Sequence, residues 1–416
     1  MRVVYLNPCG QLGGAETSLL EIFASLRSAV PAWELSLVLG EDGPLRAAAG
    51  ALGVQVIVEP FPAELARLGD ARKSPLAALA GLFRAAGAVR RYQRRLREIL
   101  EALQPDVVHT NGFKMHVLGA CARNASAPLV WHIHDYVSTR PLMSRLLRIF
   151  HRRCSLAIVN SKSVAEDLRS LLPNLRTVPV YNAVDVERFS PAGSKLDLDA
   201  LSGLPPGDEQ VLRVGLIGTF ARWKGHQVFL RALAQLPAEL HVRGYIIGGP
   251  IYQTSDSQWT LEELRQEADR LKLENRIGFT GFLQDIPGAM RALDIVVHAS
   301  TQPEPFGMVI IEAMACGKAV IASQAGGAQE LFVDGQTALG HPSGDATALA
   351  QQIRRLASDS QLRQELGAAG RSYVEKHYHG KRLAGELLSI YGQLADAAAG
   401  RWRESEMRSY SSTGAQ

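Results

Sequence analysis

The sequence predicts an α/β protein built from two doubly wound domains. Three observations carry that prediction. Apolar runs of strand length, such as Val3-Val-Tyr-Leu, Val211-Leu-Arg-Val-Gly-Leu-Ile-Gly218 and Asp294-Ile-Val-Val-His-Ala, alternate with helical periodicity in both halves. Several of these runs end in glycine or proline turns that open straight into a helix, as at the ligand-binding edge of a parallel sheet. A length of 416 residues with 46% hydrophobic content suits two to three domains with large cores. The same figures exclude other classes. A net charge of +4 is too mild to imply nucleic acid, and no run approaches the roughly 18 apolar residues of a membrane span. The N-terminus enters a strand with no signal-peptide pattern, which gives a cytoplasmic expectation. Cys9, Cys121, Cys154 and Cys316 form no CxxC pair and read as reduced thiols.

The first strand ends at Asn7-Pro-Cys-Gly-Gln-Leu-Gly-Gly-Ala-Glu16, and a helix is expected over 17–27. Gly13 and Gly14 lie between them, where missing side chains let a ligand approach the backbone. Residues 33–39 and 54–58 read as the next strands. Val89, Tyr92, Leu96, Ile99, Leu100 and Leu103 then recur at helical spacing, and residues 84–97 add an arginine-rich face. A second basic stretch holds Arg140, Arg145, Arg148, Arg152 and Arg153. Such faces are commonly just solvated. The sharper reading is a surface for anionic lipid headgroups or a phosphate-bearing acceptor. Strands follow at 105–111 and 127–135. In the second, Val130, His132 and His134 share a face, and His134 and Asp135 fall at the carboxyl end. His109, His132 and His134 are all candidates there. A strand end at 156–160 with Ser161 as helix cap, and a strand at 178–180, complete the first half.

Residues 194–208 read as a linker, and the Asp197-Leu-Asp199 inside them as linker chemistry. The second half restarts with a strand over 211–218. Thr219-Phe-Ala-Arg-Trp-Lys-Gly225 and a helix over 226–236 follow. A lysine at a helix N-terminus conflicts with the dipole, and an anion between Lys224, Arg222 and the helix end would relieve that conflict. A strand over 241–247, a helix over 261–271 and a strand from 277 lead to 294–299. There Pro303 and Pro305 stop further pairing, and a helix is expected over 306–316 with Gly317 as its left-handed stop. The amides near Phe306, Gly307 and Met308 lack intrahelical partners, and Gly307 leaves an anion free to approach them. Glu304 and Glu312 frame this turn. Glu312 sits among Val309, Ile310, Ile311, Ala313 and Met314, where a carboxylate is costly unless something binds it. The plainer reading is a dipole-favoured acid and one exposed glutamate. A strand over 319–323, a glycine loop, a long helix over 381–399 and a polar tail, expected to be disordered, close the chain.

Glu304-Pro-Phe-Gly-Met-Val-Ile-Ile-Glu312 with the following Ala-Met-Ala-Cys-Gly317 resembles the paired-glutamate motif of retaining GT-B glycosyltransferases of family 4, the group 1 glycosyl transferases. The resemblance extends over nearly the whole chain. It implies that Glu304 contacts donor-sugar hydroxyls and that Glu312 accepts from the nucleotide ribose, with sugar and diphosphate held by the turn between them. The Gly13–Gly14 loop matches the family's glycine loop facing the diphosphate. Among the histidines, His134 is similar to the family residue that contacts the donor sugar. Trp223-Lys-Gly matches the family's phosphate loop. The arginine that usually follows its glycine is Thr219 here, and Arg222 is the candidate replacement from elsewhere in the loop.

The expected organisation is an acceptor-side domain over 1–190, a linker over 191–210, a nucleotide-sugar domain over 211–380, a helix over 381–400 returning to the first domain, and a disordered tail over 401–416. The two domains are expected to face a central cleft. The expected reaction transfers a hexosyl unit from a UDP- or GDP-sugar to an acceptor hydroxyl, with retention, in glycan, glycolipid or polysaccharide biosynthesis. The nucleotide sugar is a substrate, so no cofactor is expected. No metal is expected either, since no carboxylate–histidine ligand set is clustered. His134, Glu304 and Lys224 are the expected catalytic residues. The donor would be held by Gly13, Gly14, Arg222, Lys224, Glu304, Phe306, Gly307, Met308, Val309 and Glu312. Peripheral contact with an anionic inner-membrane face is the further expectation. The alternatives are a nucleotide-sugar epimerase or hydrolase on the same fold, and a non-catalytic nucleotide-sugar-binding module.

Overall fold

The computed structural model describes residues 1–62, 75–122, 127–208, 210–250, 257–398 and 400, with only the backbone over 75–85. The expected tail over 401–416 and the side chain of Arg84 lie outside the described residues. The chain divides into two units. One holds residues 1–160, 164–181 and 380–416, the other 161–163 and 182–379.

In the first unit, buried apolar strands pair in parallel. They are β1 (Arg2–Asn7), β2 (Glu34–Leu39), β3 (Gln55–Val58), β4 (Val107–Asn111), β5 (Leu129–Ile133), β6 (Leu156–Val159) and β7 (Thr177–Pro179), in the order β3-β2-β1-β4-β5-β6-β7. The order reverses between β1 and β4, whose registers pair Val3 with Val107 and Leu6 with Thr110. In open α/β sheets, ligands bind outside the carboxyl ends of strands at that reversal. The amphipathic reading of the arginine-rich segment holds. In helix Pro75–Leu103, Tyr92, Leu96, Ile99 and Leu100 are buried in the core, with Val89 and Leu103 against it. Helix Gly380–Ala398 belongs to this unit and packs on helix Gly14–Ala29. Tyr391 of the former reaches His109 Nδ1 with its hydroxyl at 2.7 Å and Tyr5 OH at 3.1 Å.

The second unit repeats the plan with β8 (Leu212–Ile217), β9 (Val242–Ile247), β10 (Ile277–Gly281), β11 (Ile295–His298), β12 (Ala319–Ser323) and β13 (Leu339–His341), all parallel, in the order β10-β9-β8-β11-β12-β13. Its reversal lies between β8 and β11. Each unit is thus a Rossmann-like sheet with flanking helices.

Two expectations need correction. The boundary lies between Tyr181 and Asn182, not at 190, and residues 191–210 belong to the second unit rather than to a linker. They carry helix Leu198–Ser202, in which Asp197 is the N-cap and accepts from Ala200 N. Asp199 is 4% exposed and accepts from Arg213 Nη2 at 2.9 Å, Gly207 N at 3.0 Å, Arg243 Nη1 and Tyr245 OH. The Asp-Leu-Asp letters therefore mark a buried ion cluster. The reason they mislead is that glycine and proline punctuate a folded segment here as readily as a tether.

Candidate functional site

In the second unit, the loops after β8 and β11 meet at the point where strand order reverses. After β8, Arg222–Lys224 form one turn of 3-10 helix, Gly225 takes φ +80°, and helix His226–Ala234 begins. A side chain at Gly225 would stand 1.8 Å from the carbonyl oxygen of Ala299, so only glycine lets this turn press against the neighbouring loop. The amide of Thr301 bonds the Trp223 carbonyl at 2.7 Å and locks the two loops together.

That clamp brings Lys224 to Glu304. The ammonium donates to Oε1 at 2.7 Å and Oε2 at 3.0 Å. Glu304 is 6% exposed. Its Oε2 also accepts from Ser300 Oγ at 2.6 Å, and His298 Nε2 lies 3.2 Å away. Burial alone would push this carboxyl up, but Lys224 and His298 outweigh it and hold it well below the usual carboxylate range. Lys224 also lies over the Trp223 ring, 4.3 Å from its centroid.

The helix after Glu304 starts later than expected, at Met308 rather than Phe306. Gly307 adopts φ +105°, which no helical residue does, so it caps the helix from outside. The amides of Met308 and Val309, not those of Phe306 and Gly307, open the helix without intrahelical acceptors. The Phe306 ring is 3% exposed and packs edge-on against Tyr378. Any contact it makes with a ligand would come from its backbone. The helix ends at Ala315 with Cys316 as its cap, and Gly317 has φ +68°, the left-handed stop expected. Glu312 is half-buried, its carboxyl without a hydrogen-bond partner among the described residues. Burial pushes its carboxyl up to about 7, with Arg188 pulling it back.

The structure places Arg222 elsewhere. Its guanidinium pairs with Glu263 at 3.1 Å and lies 3.8 Å from the centroid of the Trp259 ring. Glu263 is in turn held by the Thr260 cap of helix Leu261–Arg270. Arg222 is therefore occupied by a partner other than the one expected for it.

The other expected residues lie in the first unit. Helix Gly14–Ala29 starts three residues earlier than predicted, with Gly13 as its cap. Glu16 folds back to accept from Gly13 N at 3.2 Å and from Asn7 Nδ2 at 3.3 Å. His134 follows β5 directly. Its Nε2 meets Asn111 Oδ1 at 3.3 Å, which puts the proton on Nε2 because that oxygen accepts, and its carbonyl accepts from Asn160 Nδ2 at 3.2 Å. The His132 and His134 ring centroids lie 4.0 Å apart with the planes tilted, on one face as strand alternation requires, and His109 meets His132 edge-on at 5.1 Å. Burial lowers His109 to about 3 and His134 to about 4. His116 and His132 fall well below the ordinary value for the same reason, with neighbouring histidines adding to it. All four are neutral rings at physiological pH.

The sequence did not flag His298, Ser300 or Ser323. One signal was present: a histidine ending a fully apolar strand, two residues before a serine and six before Glu304. Among the described residues, no group of three His, Cys, Asp or Glu side chains is placed to hold a metal.

Comparison with known proteins agrees with this geometry. Residues 204–373 match the family described as glycosyl transferases group 1, and residues 12–188 match glycosyltransferase family 4. N-acetyl-alpha-D-glucosaminyl L-malate synthase of Bacillus anthracis is 25% identical over 60% of this chain and 63% of its own. D-inositol 3-phosphate glycosyltransferase of Stackebrandtia nassauensis is 32% identical over 58% of this chain and 55% of its own. These matches span less than two thirds of either relative. Among solved structures, Anabaena Alr3699/HepE in complex with UDP superposes with a TM-score of 0.75 at 28% identity, covering 94% of this chain and all of that one. The same protein is also known with UDP-glucose.

Proposed function

From a chain that belongs to the group 1 glycosyltransferases, family 4-like and of GT-B architecture, we propose a retaining hexosyltransferase that uses a UDP-sugar. The observation that carries this reading is the pair of half-buried Lys224 and buried Glu304 beside the helix start at Met308. It sets a cation and free amides next to a carboxylate held ionised, the combination a sugar diphosphate needs. Lys224 and the Met308 and Val309 amides would take the diphosphate. Glu304 would accept from sugar hydroxyls and Glu312 from the ribose. The choice of uridine rests on the UDP and UDP-glucose complexes of the similar Anabaena protein. His134, a neutral ring, would hydrogen-bond the sugar.

Glu304 is taken up by Lys224, Ser300 and His298, and Glu312 is assigned to the ribose, so neither serves as a nucleophile and same-face displacement is favoured. The acceptor oxygen bonds to the anomeric carbon as the carbon–diphosphate bond breaks, and the diphosphate takes the acceptor proton. The chain's own contribution is positioning and charge stabilisation. The test is thermal shift across UDP-, GDP- and ADP-sugars, because a true donor raises Tm by mass action. No shift with any of them refutes the reading. Turnover of the stabilising sugar without acceptor would favour an epimerase or hydrolase instead.

A peripheral membrane contact is the second part of the reading. Arg90, Arg91 and Arg94 are exposed, whereas Arg95 is taken up by Glu59 and Glu98. On helix Pro141–Phe150, Arg145 and Arg148 flank Ile149, which is 68% exposed, and Arg152 follows one turn on. Basic side chains around an exposed apolar one suit an anionic headgroup surface. Each contributes about 1 kcal/mol, screened by salt. Flotation with anionic liposomes should succeed at low salt and fail at high salt. A protein that stays soluble at low salt leaves these arginines as a solvated face. Among the described residues, no helix is long and apolar enough to cross a membrane.

A further inference from the structure

We propose that His298 is the positioning residue of the donor-sugar site, holding the Glu304 carboxylate in place through Nε2–H when Lys224 turns to the diphosphate. The inference rests on the donor reading above and adds a residue to which that reading gives no role.

His298 ends β11 and is 3% exposed. Its two ring nitrogens meet different partners. Nε2 lies 3.2 Å from Glu304 Oε2 and 3.1 Å from Ser300 Oγ, and Nδ1 lies 3.2 Å from Ser323 Oγ at the end of β12. An ionised carboxylate only accepts, so Nε2 must carry the proton. Ser323 is fully buried and bonds the opposite nitrogen, which fixes the ring from behind. The His298 carbonyl is itself tied to His341 Nε2 at 3.2 Å. His298 is thus tied across the ends of three adjacent strands, its ring by Ser323 and its carbonyl by His341.

The division of labour at Glu304 gives this pin its purpose. Oε2 is held by His298 at the end of β11 and by Ser300 two residues on, while Lys224 reaches both oxygens from another loop. A diphosphate competes with Glu304 for the Lys224 ammonium. Without other donors, a buried carboxylate that loses its cation would reorient or take up a proton. With Oε2 still bound, Glu304 stays ionised and oriented, and Oε1 becomes available to a sugar hydroxyl. Ser300 supplies one such bond, and His298 supplies the one that Ser323 steers.

The test uses the full chain and three variants. His298→Gln offers an amide N–H near the Nε2 position, whereas His298→Asn offers one near Nδ1. Ser323→Ala frees the ring. Titration with UDP and with UDP-glucose separates nucleotide from sugar contacts. His298→Asn should lose about tenfold in UDP-glucose affinity, the size of one hydrogen bond to a charged group, with UDP affinity unchanged. His298→Gln should restore most of the loss, and Ser323→Ala should fall between. Equal losses for both ligands in all three variants would make His298 merely structural and overturn the proposal. So would three variants that bind UDP-glucose as the parent does. If the parent binds neither ligand, the donor reading fails instead. The ring then still decides this inference, because long-range nitrogen–proton correlation on histidine-labelled protein must show a protonated Nε2 at His298, and an Nδ1–H tautomer refutes it.

Discussion

Replacing Asp199 with alanine should destabilise the second unit far more than any nearby substitution. The carboxylate is 4% exposed and accepts from Arg213, Arg243, Tyr245 and Gly207. Asp199→Ala leaves two guanidinium groups and a phenol facing a small void with no counter-charge. Breaking a buried pair in this way costs about 3–5 kcal/mol. Asp197, two residues earlier, is exposed and bonds one amide of the same helix at 3.0 Å. Its loss costs about 1 kcal/mol, the value of an N-cap. For a unit of this size each kcal/mol moves Tm by about 2–4 °C, so the expected drops are about 6–20 °C and 2–4 °C. Differential scanning calorimetry is the assay, because a chain of two units need not unfold in one step. A further signature lies in pH. Despite burial, which opposes ionisation, the hydrogen bonds from Tyr245, Gly207 and the two arginines hold Asp199 well below its ordinary value. The stability it contributes is therefore present above the unfolded pKa of about 3.9 and lost as pH falls through the lower folded value. The gap between parent and Asp199→Ala should narrow below about pH 4. Equal Tm losses for Asp197→Ala and Asp199→Ala would refute the ion-cluster account.

Glu312, pushed up to about 7, contributes stability below its unfolded pKa of about 4.3 that is lost as pH rises through 7. Glu312→Gln should flatten that slope in thermal melts. UDP should bind more tightly as pH rises through the same interval, and Glu312→Ala should lose about 1–3 kcal/mol of UDP affinity by calorimetry. An unchanged affinity removes Glu312 from the site. Lys224→Met strands a buried carboxylate and should cost about 3–5 kcal/mol in urea unfolding. Adding Glu304→Gln should recover part of that loss, whereas simple additivity would mean the pair is not coupled. Activity should persist in chelator, and recovery on adding magnesium or manganese after a chelator-induced loss would contradict it.

The strands were legible because parallel strands buried on both faces read as near-continuous apolar runs, as β1, β11 and β12 do and β8 does but for Arg213. The helix start at Met308 was missed because Gly307 reads as helix-compatible until its neighbours force φ to +105°. The glutamates and Lys224 carried a spacing that could be read along the chain. Ser323 and Asp199 did not, since each takes its meaning from a partner on another strand: Ser323 is 25 residues from His298, and Tyr245 is 46 from Asp199. Helices Ala346–Ser358 and Ser360–His377 went unread as well, although both are capped by aspartates, Asp345 and Asp359.

The return of helix Gly380–Ala398 to the first unit bears on how the chain is made. Roughly 200 residues separate Tyr181 from that helix. At about 5–20 residues per second, a ribosome needs roughly 10–40 s to deliver it. During that interval Tyr5 and His109 lack the Tyr391 hydroxyl, and the face of helix Gly14–Ala29 that it covers stands open. The second unit, nearly continuous in the chain, can finish before the first. Chains cut after His379 should therefore aggregate through the first unit while the second unit still folds.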